Sequence, residues 1–369
     1  MPSLTEILKK HGMVIAACLA AVISALFVPV TNYISYIDTD MIALLMSFML
    51  ILTGLESNNV FSFFTHRLLK SAGNSRKLSL LMVMFTFLLA ALVTNDVALI
   101  VTVPFTILVF RAAGLSPVYT IVLETIAANM GGAITPFGNP QNLYIYSLSQ
   151  MTFGEFVAVT GPTAGISLLF LIIAGMFCRR TDIEPDDSKP VRVTNIRYVV
   201  LYLICFLLCI LSVLHLFDVI SALAAVCVVI AILEPKLFLK ADYGLLITFA
   251  AIFVFTGNIK NIPAVSQVME STLEGHEFLI ALGLSQIISN VPATIMVSGF
   301  TDKYREVILG ADVGALGTLI ASLASLISFR AYTKEKNADP KRYILTFTGL
   351  NLILLAILCI YHYATGTLT

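Results

Sequence analysis

The chain has 369 residues, of which 58% are hydrophobic and only 12% are charged, about half the charged fraction of an average soluble domain. Its mean hydropathy of +0.94 excludes an ordinary soluble fold and indicates an all-α polytopic membrane protein. The 22 basic and 22 acidic residues cancel, which argues against a nucleic-acid partner because phosphate binding needs concentrated positive charge.

Nine apolar segments are long enough to cross a hydrocarbon core about 30 Å thick. In chain order they are 13–36, 41–57, 117–149, 154–177, 197–215, 217–234, 242–258, 304–329 and 343–365. The third contains GGAITPFGNPQNLY (131–144), and a Gly pair with two prolines cannot sit in a continuous lipid-facing helix. We therefore expect a broken span there, and a second one at 312–325, where Gly314 and Gly317 occur without a proline.

Two further pairs of apolar segments are too short to cross singly. They are 78–93 with 97–110, and 276–288 with 293–300. We expect each pair to form a re-entrant helical hairpin that enters and leaves the membrane on one side. The hairpins span 76–111 and 274–301, with TND (94–96) and SNV (289–291) at their tips.

The basic residues predict the orientation, because Lys and Arg concentrate in cytoplasmic loops. With the N-terminus in the cytoplasm and the C-terminus outside, 19 of the 22 basic residues become cytoplasmic, leaving Lys260, Lys303 and Arg305 outside. The first hairpin then opens from the cytoplasm and the second from the exterior. We expect the plasma membrane as the location.

The two halves of the chain resemble each other. TGLESNNV (53–60) matches TGNIKNIPAV (256–265), and NMGGAITPFGNPQN (129–142) matches DVGALGTLIASLAS (312–325). An odd number of crossings between the copies places the second one upside down, so we predict inverted repeats at 1–177 and 197–369, joined by a cytoplasmic linker at 178–196. This is an architecture of secondary transporters.

Several polar side chains lie at predicted membrane depth. Placing a charge there costs roughly 2.5 to 3.5 kcal/mol even on the lenient insertion scale, so Asn95, Asp96 and Asn290 must face protein, water or ligand. Hairpin tips at mid-membrane free backbone groups that can bind a small ion. Glu124 and Asp312 are also embedded, Asp312 occupies the repeat position of Asn129, and either carboxyl is a candidate for a coupling proton.

Four short motifs resemble the ion-transporter superfamily, which includes divalent anion/sodium symporters, citrate carriers, arsenite permeases and certain sodium/proton antiporters. The motifs are TND at 94, TPFGNPQN at 135, SNVPAT at 289 and GTLIASLAS at 317. The resemblance implies a homodimer in which a transport domain moves against a scaffold by an elevator motion. The hairpins and broken spans would form the transport domain, and 13–57 with 197–258 would be mostly scaffold.

The resemblance also implies site residues at the tips and breaks. The implied substrate-binding residues are Asn95, Asp96, Asn139, Pro140, Ser289, Asn290, Val291 and Ser322. The implied ion-binding residues are Thr94, Asn95, Asp96, Gly138, Ser289, Asn290 and Ala321, with Na⁺ at Asn95 and Asn290. Asp96 and Val291 depart from the Ser-Asn-Thr tips of the symporters, and an Asp after the Asn is more similar to the arsenite permeases.

The predicted function is secondary active transport of a small anion, a carboxylate such as citrate or a C4-dicarboxylate. The coupling ion would be Na⁺ or H⁺, with no other cofactor. Arsenite or antimonite efflux and Na⁺/H⁺ antiport are alternatives on the same fold, with Asp96 as the ion-binding carboxylate. An intramembrane enzyme is disfavoured, because the sequence contains neither HExxH nor GxSxG.

Overall fold

The computed structural model describes residues 4–28, 33–64, 73–182, 192–214, 216–335 and 338–366. Every regular element in these ranges is helical, which confirms the all-α prediction. The α-helices are Leu4–Phe27, Thr39–Ser57, Ser75–Leu92, Asn95–Ala112, Val118–Gly132, Pro140–Ser149, Phe153–Met176, Ile196–Val213, Val219–Leu233, Tyr243–Lys260, Pro263–Leu273, Glu277–Ile288, Asn290–Ser298, Tyr304–Gly314, Leu323–Thr333 and Pro340–Ala364. Two 3-10 helices cover Tyr33–Tyr36 and Pro235–Lys240.

Six helices within these ranges are long and apolar enough to cross a membrane. They are Thr39–Ser57, Ser75–Leu92, Phe153–Met176, Ile196–Val213, Tyr243–Lys260 and Pro340–Ala364. Five fall on predicted spans, and Ser75–Leu92 is the first arm of the first hairpin. The predicted span 13–36 is not one continuous helix, because its helix ends at Phe27. The total of nine spans and the repeat boundaries stay predictions, and residues 183–191 of the predicted linker lie outside the described ranges.

Both helical hairpins are present near the predicted positions. The first hairpin consists of Ser75–Leu92 and Asn95–Ala112, and the second consists of Glu277–Ile288 and Asn290–Ser298. Each arm of the first hairpin has 18 residues, or about 27 Å, and is longer than the apolar run alone suggested. The reason is local: the Asn74 side chain caps the first arm by accepting from the backbone N–H of Lys77, so the helix includes polar residues before the run.

Both predicted broken spans are broken in the structure. The first broken span is Val118–Gly132 with Pro140–Ser149, and the second is Tyr304–Gly314 with Leu323–Thr333. We call the non-helical segments 133–139 and 315–322 the first break and the second break. Pro140 suits the first turn of the returning helix because its missing N–H needs no partner there. The second break has no proline and turns at Gly317, whose φ of +110° favours glycine.

Each hairpin packs on the broken span that follows it in the chain. Ser75–Leu92 lies against Val118–Gly132, and Glu277–Ile288 lies against Tyr304–Gly314. A Cβ atom on Gly131 would overlap the backbone of Phe87, so the absence of a side chain permits this close approach. We call residues 75–149 the first hairpin–break unit and residues 277–333 the second.

Two groups of helices lie outside these units. Thr39–Ser57, Ile196–Val213 and Val219–Leu233 pack on one another, and Leu4–Phe27 packs on Tyr243–Lys260. Large apolar side chains project outward, for example Leu203, which is 50% exposed, and Leu345, which is 75% exposed. Exposed apolar side chains of this kind suit contact with lipid. The chain is therefore an integral membrane protein.

Candidate functional site

The two hairpin tips contain the same hydrogen bond between an Asn side chain and the backbone. Asn95 begins the second arm of the first hairpin, and its Oδ1 accepts from the backbone N–H of Asp96 at 2.8 Å. Asn290 begins the second arm of the second hairpin, and its Oδ1 accepts from the N–H of Val291 at 3.0 Å. Each amide oxygen thus satisfies a backbone donor that the start of a helix leaves free.

Each tip is joined to the break of its own unit by an equivalent backbone bond. The N–H of Asn95 donates to the carbonyl of Gly138 at 2.9 Å, and the N–H of Asn290 donates to the carbonyl of Ala321 at 2.9 Å. Gly138 and Ala321 were matched by repeat position in the sequence. The structure therefore brings together the tip and break residues that the sequence proposed for each half.

A second pair of equivalent bonds lies one turn further from the tips. Thr135 Oγ1 donates to the carbonyl of Ala91 at 2.8 Å, and Thr318 Oγ1 donates to the carbonyl of Gln286 at 3.0 Å. Gln286 also donates through Nε2 to the carbonyls of Gly314, at 2.6 Å, and Leu316, at 3.0 Å. The sequence analysis did not identify Gln286. Its amide donates to carbonyls that have no helical partner where the broken helix ends.

Asn129 links the two units and was not among the predicted site residues. Its Oδ1 accepts from Ser322 Oγ at 2.9 Å and from Asn95 Nδ2 at 3.4 Å. Its backbone carbonyl accepts from Asn139 Nδ2 at 3.1 Å. One buried amide therefore connects the first tip, the first break and the second break. The available signal was a lone Asn in an apolar helix two residues before a Gly pair.

Asp312 is the residue of the second unit that makes the corresponding contact with the first unit. Its Oδ1 accepts from Gln141 Nε2 at 3.0 Å, so a carboxyl group of the second unit touches the first unit. Asn139 and Asn142 also lie beside the carboxyl. Asp312 is 1% exposed. Asp312, a candidate for proton coupling, therefore contacts the helix that follows the first break.

Glu124, the other proton-coupling candidate, lies away from both tips. Thr106 Oγ1 donates to Glu124 Oε1 at 2.6 Å, and Glu124 is fully buried. The neighbouring Thr125 donates to Ser328 Oγ at 2.8 Å. Within the described residues, Glu124 makes no hydrogen bond to a tip or break residue, and its Oε2 has no partner. A proton-coupling role for Glu124 stays a prediction.

The second tip has an unusual backbone. Ser289 has φ of +75° and ψ of 152°, a combination that is nearly restricted to glycine. Its Oγ lies 3.4 Å from Asn290 Oδ1 and 3.5 Å from the carbonyl oxygen of Ala321. Three oxygen atoms therefore gather at this tip. Thr94 at the first tip has an ordinary extended backbone, with φ of −153°.

A cavity of about 540 Å³ opens beside the first tip. It lies between that tip, the helix Thr39–Ser57 and the start of Tyr243–Lys260. Five predicted site residues line it, namely Thr94, Asn95, Asp96, Asn139 and Pro140. The other six are buried away from it, namely Gly138, Ser289, Asn290, Val291, Ala321 and Ser322. The tips share a polar network, but only the first tip faces the cavity.

The charged residues lining the cavity are mostly acidic. Glu56, Asp96 and Asp242 contribute three carboxyl groups, and Lys240 contributes one ammonium group. Asp96 belongs to the first unit, and Asp242 caps the helix Tyr243–Lys260. The cavity therefore carries a carboxyl group on each of these two sides, with Lys240 two residues before Asp242.

Comparison with known proteins places the chain among transporters. Residues 5–303 match the citrate transporter family. The chain is 31% identical to the inner membrane protein YbiR of Escherichia coli over 304 residues, which cover 80% of each chain. It is 29% identical to an uncharacterized transporter of Methanocaldococcus jannaschii, over 79% of this chain and 81% of that one.

The fold resembles that of a solved transporter. The crystal structure of the Alcanivorax borkumensis YdaH transporter, described as having an unusual topology, aligns with a TM-score of 0.54 over 92% of this chain and 89% of that one. The sequence identity is 16%, so this likeness concerns the fold alone. Because the family match covers most of the chain and agrees with the paired hairpins, the protein is a membrane transporter that belongs to the citrate transporter family.

Proposed function

We propose that the protein is a secondary active transporter that moves a small anion, a carboxylate such as citrate or a C4-dicarboxylate, with coupling to Na⁺ or H⁺. The observation that carries the proposal is the first tip, where Asn95 lines a cavity of about 540 Å³ while its backbone is bonded to the first break. Amide donors at a broken helix in mid-membrane suit a carboxylate. The family's description as citrate transporters supports this substrate class.

The substrate would bind on the cavity side of the first tip. Asn95 and Asn139 would donate to it, Pro140 would hold the returning helix, and Thr94 and Asp96 would border it. Buried ligand groups behind them would hold the coupling ion: the Ser289 and Asn290 oxygens with the Ala321 carbonyl at the second tip, and Thr94 with the Gly138 carbonyl at the first. Val291 and Ser322 would face the substrate in the opposite conformation.

The transport cycle would be an elevator motion of the two hairpin–break units. The matched order of hairpin, broken span and long helix in both halves supports an inverted repeat with nine spans. The basic residues favour a cytoplasmic N-terminus in the plasma membrane, with the C-terminus outside. The cavity reaches Ser57 and Lys240, which this orientation assigns to the cytoplasmic side. A homodimer would provide the scaffold, as the family resemblance implies.

The test is uptake of radiolabelled citrate and succinate into proteoliposomes. We expect accumulation above equilibrium when an inward Na⁺ or proton gradient is imposed, and none when the gradient is collapsed with an ionophore. Protein-free vesicles and the variant Asn95→Ala are the controls. If neither carboxylate is taken up under any gradient, the proposed substrate class is wrong.

Cation exchange is the second candidate, and the acidic lining of the cavity favours it. Three carboxyl groups against one ammonium group attract a cation more readily than a dicarboxylate. Under this alternative Asp96 would bind Na⁺ or a proton. Vesicles loaded with a pH-sensitive dye would show a Na⁺-dependent pH change without any carboxylate. Asp96→Asn would abolish that signal, whereas carboxylate uptake would survive if the first proposal is correct.

A further inference from the structure

Asp312 and Asn129 hold matching places in the two hairpin–break units, yet only one of them can change its charge. Each lies in the helix before its break, and each contacts the other unit's broken span: Asn129 accepts from Ser322 at 2.9 Å, and Asp312 accepts from Gln141 at 3.0 Å. An amide does not take up a proton near neutral pH, whereas a carboxylate does. The pair is therefore symmetric in position and asymmetric in chemistry.

The surroundings of Asp312 lack one hydrogen-bond donor. Its Oδ2 has no partner within the described residues, although Asp312 is 1% exposed. The amide oxygens of Gln141, Asn139 and Asn142, whose side chains surround the carboxyl, also lack partners there. Buried polar atoms are normally hydrogen-bonded. A proton on Oδ2 would supply the missing donor and would neutralise a charge that is costly at membrane depth.

No cationic side chain among the described residues forms an ion pair with Asp312. Its helix packs on both arms of the second hairpin, on Pro140–Ser149, on Phe153–Met176 and on Pro340–Ala364. Among the titratable side chains of these elements, Glu277 bonds to Lys303, Tyr144 to Ser298, Glu155 to Thr152 and His362 to Thr163. Lys341 and Arg342 are exposed in the first turn of Pro340–Ala364. The other titratable side chains are tyrosines and one cysteine, which carry no positive charge. On its own helix, Glu306 and Arg305 lie near the opposite end, beside the loop at 302–303. A proton is therefore the simplest source of positive charge.

We propose that Asp312 binds the coupling proton of the transport cycle and takes it up together with the carboxylate substrate. The inference rests on the proposed function and deepens it. Asn139 connects the two events, because it lines the cavity and lies beside Asp312. An ionised Asp312 repels a carboxylate bound at Asn139, and a protonated one does not. Proton and anion therefore bind as a pair.

The proton balance is simple. One proton passes from water in the cavity to Oδ2 of Asp312 as the anion binds, and the same proton returns to water on the opposite side when the anion leaves. No other bond forms or breaks. The loaded units cross the membrane with Asp312 protonated, and the substrate-free units return with Asp312 ionised, its carboxylate still accepting from Gln141. Each cycle therefore moves one proton together with one anion. Transport is then anion/proton symport.

The experiment measures binding of radiolabelled citrate to the purified full-length protein at several alkaline pH values, where citrate itself is fully ionised. We expect the apparent Kd of the wild type to rise about tenfold per pH unit, as linkage to a single proton requires. In Asp312→Asn the Kd should be independent of pH, and citrate counterflow in vesicles should persist. A pH dye in weakly buffered solution should detect proton uptake on citrate binding in the wild type and none in the variant.

The matched control is Glu124→Gln, which neutralises the other embedded carboxyl and should keep the tenfold slope. If Asp312→Asn binds no citrate, Asp312→Glu, which retains a titratable carboxyl, should restore both binding and slope. A tenfold slope that survives in Asp312→Asn overturns the proposal, as does a wild type that binds citrate with no slope. A wild type that binds no carboxylate refutes the proposed function and this inference with it.

Discussion

The two hairpin tips share one docking bond but differ in exposure. Asn95 and Asn290 each donate a backbone N–H at 2.9 Å to the break of their own unit. The first tip follows an 18-residue arm, has an extended backbone and faces the cavity, whereas the second follows a 12-residue arm, bends at Ser289 and is buried. A shared framework thus presents only one of two related tips to solvent. The alternating access proposed for this transporter requires such a difference in any single conformation.

The two breaks differ in which side chain donates hydrogen bonds to the free backbone carbonyls at the helix end. In the first break, Asn142 of the same broken span donates to the carbonyls of Gly132, at 3.2 Å, and Ala133, at 3.1 Å. In the second break, Gln286 of the hairpin makes the corresponding bonds. The carbonyls of the first break are therefore bonded within its own broken span, whereas those of the second break are bonded by a side chain of the hairpin. The second tip and second break should consequently respond together to mutation.

The largest expected effect is on transport, from Asn95→Ala compared with Asn290→Ala. Asn95→Ala removes a substrate-facing amide, so citrate uptake at low citrate concentration should fall about 10- to 100-fold, because a hydrogen bond to a charged group is worth about 1.5 to 3 kcal/mol. This loss should appear in KM. Asn290→Ala should lower uptake comparably through the maximal rate, because Asn290 is buried away from the cavity.

Radiolabelled citrate uptake at several concentrations separates the two variants. Asn261→Ala is the control, since Asn261 is an exposed residue at a helix end whose side-chain amide bonds to Tyr36 and Gly257 among the described residues. An unchanged KM in Asn95→Ala would remove this residue from the substrate site. A raised KM in Asn290→Ala would mean that both tips face the substrate at once, contrary to the comparison above.

The next effect is on stability, from adding a methyl group where each hairpin meets its broken span. A Cβ on Gly131 would overlap the backbone of Phe87, whereas one on Gly314 would lie 2.8 Å from the Ser285 side chain and 2.9 Å from the Cα of Leu282. At Gly131 the three nearest atoms all belong to the Phe87 backbone, whereas at Gly314 two of the three belong to the Ser285 side chain, which can move more easily. Gly131→Ala should therefore destabilise the fold by about 3 kcal/mol and Gly314→Ala by about half as much.

Thermal unfolding of the purified variants in detergent measures both losses. The control is Gly165→Ala, because nothing lies within 4 Å of a Cβ at that helical position. It should leave the Tm unchanged or raise it slightly, since alanine favours helix over glycine. Equal losses at Gly131 and Gly314 would mean that the two hairpins rest on their broken spans with the same rigidity.

Sequence reasoning located the tips and breaks because few structures tolerate their residues. Two prolines and a Gly pair at 131–140 interrupt any helix. An Asn at the end of a short apolar run would lack hydrogen-bond partners if it faced lipid. Asn129 and Gln286 were missed because a single amide in an apolar helix is usually a packing contact, and only the fold reveals the carbonyls and hydroxyls they meet. Exposure of the first tip depends on the conformation adopted, which the order of residues does not encode.

The smallest expected effect is a change in the free energy of unfolding when the residue at each tip is replaced by glycine, Ser289→Gly and Thr94→Gly. It tests the difference in backbone geometry between the two tips. The φ of +75° and ψ of 152° at Ser289 cost a side-chain-bearing residue about 1 to 3 kcal/mol. Ser289→Gly removes that strain and should raise the free energy of unfolding by about 1 kcal/mol, since the lost Oγ contacts are long. Thr94 is extended and caps Val97, so Thr94→Gly should lower stability by about 0.5 to 1 kcal/mol.

The opposite sign at two related positions is the result to look for, and Ser289→Ala shows whether strain or the hydroxyl is responsible. Alanine removes Oγ but keeps the Cβ, so it should not reproduce the stabilisation by glycine. Thermal unfolding ranks the four proteins, and citrate uptake under a Na⁺ gradient is measured alongside. If the Ser289 Oγ binds Na⁺ in addition to the proton at Asp312, Ser289→Gly and Ser289→Ala should lose Na⁺ dependence equally while differing in Tm. A stabilised Thr94→Gly would contradict the assignment of strain to the second tip alone.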